Sequence, residues 1–137
     1  MKLILCLGMG VALLFGGERE DVEAVALGYI DAIYQAKPDK IREITHLELA
    51  KRGFYWDKEG KMSENKMDVA RLEQIAKNFN LNAKKDMSKA PRKVEVFDVL
   101  SQTASVKVHA DWGTDYMLLA KYEGKWMITH VLWQSAR

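Results

Sequence analysis

The sequence lacks the residue patterns that most metal and phosphate sites require. Cys6 is the only cysteine among 137 residues. His46, His109 and His130 are far apart in the chain, and no cysteine–histidine pair has the spacing of metal ligands. No glycine-rich loop precedes a predicted helix, as a phosphate-binding motif would require. We therefore expect neither a metal ion nor another cofactor.

The chain also lacks a concentrated block of charge. Its 21 basic residues are interspersed with 19 acidic ones, which gives a formal net charge of +2. The densest basic stretch, Lys84–Lys93, contains Asp86 and no aromatic residue. A nucleic-acid surface needs a basic stripe, so we do not expect nucleic-acid binding. The length, with 48% hydrophobic and 29% charged residues, is typical of one soluble globular domain.

The first seventeen residues, "MKLILCLGMGVALLFGG", differ in composition from the rest. Lys2 precedes an apolar run over Leu3–Phe15, and Gly16 and Gly17 follow it. This layout is typical of a secretory signal peptide, and the run is short for a membrane span. We predict a signal peptide at 1–17 and a secreted or periplasmic domain at 18–137. An uncleaved anchor and a cytoplasmic protein with an apolar start are the alternatives.

Helical periodicity follows at once. From Glu18 an acidic first turn leads into apolar residues at a 3.6-residue period, which predicts a helix ended by Pro38. Asp39 is expected to cap a short second helix over Lys40–Thr45. Ser63 is expected to cap a third helix. The apolar stripes of the first and third helices are Val22, Val25, Ala26, Tyr29, Ile30, Ile33 and Val69, Leu72, Ile75, Ala76, Phe79.

Strand patterns dominate the remainder. "LAKRGFYWDKEGKMS" predicts a short strand, a turn and an extended return, and Asn80–Pro91 reads as a mobile loop. The last third alternates like a meander, with two-residue turns at Trp112–Gly113 and Glu123–Gly124. Three helices followed by adjacent antiparallel strands predict an α+β fold, with the helices on one face of a curved sheet.

These turns predict which side chains share a sheet face. They put Asp115 and His130 on the helix-covered face as diagonal neighbours, about 7–8 Å apart at the backbone. The pair either lines a ligand cavity or consists of a satisfied core histidine and a carboxylate that bonds a helix terminus or loop amide. The same register assigns to that face Val106, Val108, Ala110, Met117, Leu119, Trp126, Ile128 and Leu132.

Three stretches carry a resemblance to a known family. They are "VEAVALGYIDAIYQAKPDKIREITHLELAKRG", "KMSENKMDVARLEQIAKNF" and "TDYMLLAKYEGKWMITHVLW", which together cover most of residues 20–134. The chain resembles the nuclear transport factor 2-like superfamily, and within it the Putative lumazine-binding group related to SnoaL-like polyketide cyclases of bacteria. Leu47 stands where that group usually has proline. The resemblance implies a cone-shaped α+β domain with a cavity at its wide end and frequent dimerisation through the sheet.

Further residues are candidates for lining such a cavity. Tyr29 should contact the sheet, either as core or as cavity lining. His46 either caps the second helix or turns toward the cavity mouth, and Arg52 either clamps an anion or ties the helices to the hairpin. Tyr55 is a candidate for an aromatic rim. Met117 and Trp126 belong to the inner face, whereas the orientation of Asp98 is undecided.

Three functions are compatible with these residues. The first is an exported domain that binds a small apolar or aromatic molecule. The second is a cofactor-independent cyclase or isomerase in which Asp115 moves a proton and His130 acts as its acid/base partner. The third is a dimeric interaction module that uses the outer face at Tyr116, Val131 and Trp133.

Overall fold

The computed structural model describes residues 17–137. The predicted signal peptide, apart from Gly17, lies outside these residues. The helices are α1 (Glu18–Tyr34), α2 (Pro38–Ile44) and α3 (Val69–Asn78), and a short 3-10 turn spans Leu81–Ala83. The strands are β1 (Thr45–Trp56), β2 (Met62–Met67), β3 (Arg92–Val99), β4 (Thr103–Ala110), β5 (Gly113–Tyr122) and β6 (Lys125–Ser135).

The six strands form one curved, open sheet in the order β2-β1-β6-β5-β4-β3. All neighbours are antiparallel except β1 and β6, which run parallel. The three helices pack on one face, here named the inner face, and the opposite face is the outer face. The predicted α+β fold is confirmed. The predicted strand, turn and extended return lie between α2 and α3 and form the β1–β2 hairpin.

Helix α1 ends at Tyr34, before Pro38, but Pro38 is not what ends it. Ala36 has a left-handed φ of 53°, Lys37 N donates to Ala32 O at 2.8 Å, and Ala36 N donates to Ile33 O at 3.4 Å. This is a Schellman ending with alanine at the position that glycine usually occupies. Pro38 instead begins α2, where its missing N–H costs nothing, so Asp39 is not the cap.

The β1–β2 hairpin corrects the predicted start of the third helix. Asp57 organises its turn by accepting hydrogen bonds from the backbone N–H of Glu59 and Lys61, both at 2.9 Å. Ser63 lies inside β2 and donates to Asp57 instead of capping α3. The cap is Asp68, whose carboxylate accepts from Arg71 N at 2.9 Å.

Asn80 anchors the connection between α3 and β3. Its side-chain amide donates to Tyr34 O at 2.7 Å and to Lys85 O at 3.1 Å, and its oxygen accepts from Lys85 N at 2.8 Å. Tyr34 in turn donates to Pro91 O and accepts from Asp111 N. Buried hydrogen bonds therefore tie the predicted loop to α1.

The turns of the meander settle the faces of β5 and β6. Glu123 and Gly124 form the predicted two-residue turn, with φ of 49° and 76°. The preceding turn is Asp111–Trp112, one residue earlier than predicted, so Val108 opposes Asp115. This shifts the pairing by two positions and therefore leaves Asp115 on the inner face, as predicted.

A β-bulge in β6 makes the prediction for His130 wrong. Leu119 pairs with Ile128 but Leu118 pairs with His130, so Thr129 is an extra residue on β6. Every side chain beyond Thr129 changes face. His130 and Leu132 are therefore exposed on the outer face, whereas Val131 is buried and Trp133 points inward.

The core lies between the helices and the inner face of the sheet. Its largest wholly buried apolar side chains include Ile30 from α1, Leu72 from α3 and Leu119 from β5. Among residues 17–137, no helix combines the length and apolarity needed to cross a bilayer.

Candidate functional site

A buried ion pair interrupts the apolar inner face. Lys51 on β1 reaches across β6 toward Asp115 on β5, and its Nζ lies 3.3 Å from Oδ1 of that carboxylate. The two side chains are only 5% and 0% exposed. Removing two charges from water costs several kcal/mol per ion, so a pair in this position needs well-placed hydrogen bonds to persist.

Two aromatic residues supply those hydrogen bonds. The Lys51 ammonium donates to the Tyr29 hydroxyl at 2.7 Å, and Trp112 Nε1 donates to Asp115 Oδ2 at 2.9 Å. Lys51 Nζ also lies 5.3 Å from the centroid of the Tyr29 ring and 5.5 Å from that of Trp133. These distances allow cation–π attraction, which strengthens when the cation is desolvated.

The electrostatic environment of this cluster keeps the Tyr29 hydroxyl protonated and able to donate a hydrogen bond. Burial lowers the pKa of Lys51, although the negative charge and hydrogen bond of Asp115 act in the opposite direction. Burial, aided by the charge of Asp115, raises the pKa of Tyr29 well above its usual value. Tyr29 therefore keeps its proton at neutral pH. Among the described residues its hydroxyl has only the Lys51 ammonium as partner, so that proton is available to an acceptor.

Lys51 and Tyr29 form the floor of a small cavity between α3 and the sheet, here named the inner cavity, whereas Asp115 does not line it. It measures about 80 Å³. Its deep residues are buried, whereas Ile75, Phe79, Trp112 and Trp133 are only half-buried and mark the side nearer to solvent. The lining consists of Tyr29, Ile33, Lys51, Met67, Leu72, Ile75, Phe79, Trp112 and Trp133.

Gly53 allows Trp133 to take its place in this wall. A Cβ atom at Gly53 would lie 1.8 Å from Trp133 Nε1 and 1.9 Å from Cε2, far inside van der Waals contact. Gly53 follows Lys51 by two positions and shares its face of β1. The absence of a side chain there therefore sets how closely the indole approaches the strand that carries Lys51.

The structure brings together only two of the eight predicted site residues in this cluster, Tyr29 and Asp115. His130 lies on the other face of the sheet, which makes the predicted Asp115–His130 juxtaposition wrong. Asp98 is exposed on β3 and does not join the cluster. The proton-transfer role predicted for Asp115 is not tested by the coordinates and stays a prediction.

The other sequence candidates occupy separate places. His46 accepts from Glu48 N at 3.1 Å and contacts Tyr122, with 4.8 Å between ring centroids, so no helix-capping bond to α2 forms. Arg52 pairs with Glu64 at 2.7 Å on the exposed side of the hairpin.

Tyr55 lies on the same hairpin and is 36% exposed. Met117 and Trp126 are buried on the inner face, and Trp126 Nε1 donates to Glu18 at 3.0 Å. None of these three side chains lines the inner cavity.

Sequence reasoning missed Lys51, Trp112 and Trp133. The signal for Lys51 was present, because alternation along β1 puts it on the same face as the buried Leu49. The two-residue turn predicted at Trp112–Gly113 puts Trp112 in the turn itself, and a register without the bulge at Thr129 turns Trp133 outward.

A wider groove lies on the outer face. It measures about 820 Å³, against about 80 Å³ for the inner cavity. Apolar residues at its surface are half exposed: Phe97, Tyr116, Leu118 and Leu132 have exposures of 50%, 50%, 51% and 48%. His130 also lines this groove. Among residues 17–137, no three histidine, cysteine, aspartate or glutamate side chains are placed to hold a metal ion.

The fold is that of a nuclear transport factor 2-like domain. The chain belongs to the family described as Putative lumazine-binding, whose family model matches residues 17–134. No curated protein is similar enough to count as a match.

Solved structures show the same fold. A nuclear transport factor 2-like protein of unknown function from Silicibacter pomeroyi DSS-3 is 16% identical with a TM-score of 0.65, over 85% of this chain and 94% of that one. A second such protein, from Shewanella baltica OS155, is 17% identical with a TM-score of 0.59, over 90% and 99%. A ketosteroid isomerase-like protein from Erwinia carotovora atroseptica is 14% identical with a TM-score of 0.54, over 90% and 99%. At these identities the likeness concerns the fold alone.

Proposed function

We propose that this domain binds a small, neutral, planar molecule that carries a carbonyl or hydroxyl oxygen. The observation that carries the proposal is the presence of Lys51 and Tyr29 at the floor of an otherwise apolar, aromatic cavity, with Asp115 paired to Lys51 outside the lining. Ligand sites combine such apolar linings with a few convergent polar groups. The family description, Putative lumazine-binding, names a ligand of this chemical kind.

The charges of the floor favour a neutral ligand. The Lys51 ammonium and the Asp115 carboxylate balance each other, so a charged ligand would leave an uncompensated charge in a poorly solvated site. The Tyr29 proton and the third ammonium N–H remain to donate to a ligand oxygen. The flat faces of Phe79, Trp112 and Trp133 suit a planar ring system.

The inner cavity must widen to admit a ring. Its 80 Å³ is well below the roughly 300–1,000 Å³ of pockets that hold drug-sized ligands. The side chains able to move are Met67, which is flexible, and the half-buried Phe79 at the end of α3. Rotation of these two would extend the cavity toward solvent without disturbing the ion pair.

Thermal shift with unreactive carbonyl compounds tests this proposal. We expect lumazine, benzamide or 2-pyridone to raise the Tm of the wild type and of Tyr55→Phe, which loses an exposed hydroxyl. The rise should shrink in Tyr29→Phe, which loses only the buried hydroxyl. No rise with any of the three compounds, or equal rises in all three proteins, would overturn the proposal.

We also propose export, on the composition of residues 1–17. Expression of the full chain in a bacterium should give a periplasmic protein whose mass lacks the apolar run Leu3–Phe15. The variant Leu13→Arg/Leu14→Arg, in which the run is interrupted, should remain in the cytoplasm. A wild-type chain that keeps Met1 and stays in the cytoplasm contradicts export.

The outer groove supports a second candidate, self-association through the sheet. Phe97, Tyr116, Leu118 and Leu132 expose apolar surface across β3, β5 and β6, and exposed apolar patches commonly mark interfaces. A second copy of the chain offers the same patch, as a two-fold interface requires. Light scattering should show a dimer that Leu118→Lys dissociates. Leu47→Lys, which changes an exposed leucine on β1, should leave it intact, and a monomeric wild type would contradict the candidate.

A further inference from the structure

We propose that Lys51 is a reactive amine that forms an imine with small aldehydes or ketones entering the inner cavity. This inference rests on the proposed function, because it requires that small carbonyl compounds reach the cavity floor. It adds a covalent step at a named atom, Lys51 Nζ, to the binding of a neutral oxygen-bearing molecule.

The geometry supplies the groups that amine chemistry needs. A lysine becomes a nucleophile when it is desolvated in an apolar pocket and has a proton acceptor beside it. Lys51 Nζ lies 3.3 Å from the Asp115 carboxylate and 2.7 Å from the Tyr29 hydroxyl. Asp115 can take the ammonium proton, and Tyr29 can donate its proton to the carbonyl oxygen. The apolar remainder of the lining excludes bulk water, which favours the imine over its hydrolysis.

The reaction balances without a co-reactant. An ammonium proton moves to Asp115, and the freed Lys51 lone pair attacks the carbonyl carbon while the C=O π pair moves to oxygen. A second proton passes from nitrogen to this oxygen through the Tyr29 hydroxyl, which gives a neutral carbinolamine. The protonated Asp115 returns its proton to the carbinolamine hydroxyl, and the C–O bond breaks to release water.

The product keeps the charge balance of the site. The iminium carries the single positive charge that the ammonium carried, and the Asp115 carboxylate still faces it. A neutral carbonyl compound enters and neutral water leaves, so no charge is stranded in the cavity at the end. Burial also lowers the pKa of Lys51, so at a given pH a larger fraction of this side chain is the free amine than for an exposed lysine.

The cavity limits the substrate class. At about 80 Å³ it holds only a few non-hydrogen atoms unless Met67 and Phe79 move. Among the side chains that line it, only Lys51 carries a charge, so nothing there recognises a carboxylate or phosphate tail. Short aliphatic or small aromatic aldehydes and ketones therefore fit best.

Reductive trapping tests the proposal on the folded wild-type protein. Propanal and cyanoborohydride are added at neutral pH, and peptide mapping follows the mass increment of a propyl group at each lysine. We expect Lys51 to be labelled at least ~10-fold faster than the exposed Lys66 on β2. In guanidinium, where the fold is lost, the two lysines should react at equal rates. Tyr29→Phe should slow the labelling of Lys51 but not of Lys66.

The outcomes separate this inference from the proposed function. Labelling of Lys51 at or below the rate of Lys66 in the folded protein overturns imine formation. The proposed function still stands in that case if lumazine or benzamide raises the Tm in a Tyr29-dependent way, because amides do not form imines under these conditions. Absence of both effects removes both proposals.

Discussion

Lys51 on β1 and Asp115 on β5 face each other across β6, with 3.3 Å between ammonium nitrogen and carboxylate oxygen and almost no solvent exposure. Each charge is retained because the other is present, and because Tyr29 and Trp112 complete its hydrogen bonds. A pair in this position is a weak contributor to net stability but a strong constraint on what can replace it.

A double-mutant cycle measures this constraint. Lys51→Met and Asp115→Asn should each lower the free energy of unfolding by about 3–5 kcal/mol, because each strands the other charge. The double variant should lose at least ~2 kcal/mol less than the sum of the two losses, because neither charge remains. Urea unfolding monitors all four proteins. Additivity within about 0.5 kcal/mol would show that the pair is not coupled.

The pair also predicts a pH dependence of stability. The folded-state pKa of Lys51 lies below its ordinary value of 10.5, so between these two values the unfolded chain binds more protons than the folded one. The free energy of unfolding should therefore rise with pH through this window, relative to Lys51→Met/Asp115→Asn. The raised pKa of Tyr29 acts in the opposite direction only above about pH 10, where the unfolded phenol ionises. Urea unfolding of the wild type and of this double variant from pH 8 to 10 tests the prediction. It would be contradicted if the two stability curves ran parallel, or if the wild type lost stability relative to the double variant as the pH rises.

The contact between Gly53 and Trp133 predicts opposite effects for two glycine substitutions. Gly53→Ala should lower the free energy of unfolding by about 1–3 kcal/mol, because its Cβ would overlap the indole. Gly28→Ala in α1 is the matched control, since its Cβ would meet its nearest atom, Lys40 Cε, at an ordinary 3.7 Å. It should stabilise the protein by about 0.5–1 kcal/mol through helix propensity. Stabilisation by both substitutions would mean that Trp133 does not pack on Gly53.

The bulge at Thr129 predicts a contrast between two neighbouring residues. His130→Ala should change the free energy of unfolding by no more than about 0.5 kcal/mol, because His130 is exposed. Val131→Ala should lose about 2 kcal/mol, because Val131 is 3% exposed in the core. Thermal or urea unfolding distinguishes the two. A large loss of unfolding free energy for His130→Ala with a small loss for Val131→Ala would indicate that β6 has no bulge at Thr129.

The same bulge explains which parts of the fold could be predicted from the sequence. Periodicity identified α1, α3 and the meander, and Glu123–Gly124 identified one turn, because these depend on local preferences. The extra residue at Thr129 has no such local signature, since its sequence alternates as well with the bulge as without it. One inserted residue then exchanged the faces of His130 and Val131.

The candidate site was harder to predict from the sequence, for a related reason. Asp115 was correctly placed inward, but its partner depends on the parallel pairing of β1 with β6, which no local pattern reports. Lys51 then meets Asp115 because only β6 separates β1 from β5 and a lysine side chain is long enough to reach across one strand. Tertiary topology, and not spacing along the chain, created the pair.

The central claim is that a ligand oxygen binds at the floor formed by Lys51 and Tyr29. A crystal structure of the protein soaked with benzamide or lumazine tests it most directly. We expect the ring among Phe79, Trp112 and Trp133, with its carbonyl oxygen within about 3.2 Å of the Tyr29 hydroxyl or Lys51 Nζ. A ligand seated only in the outer groove, with the inner cavity empty, would contradict the account.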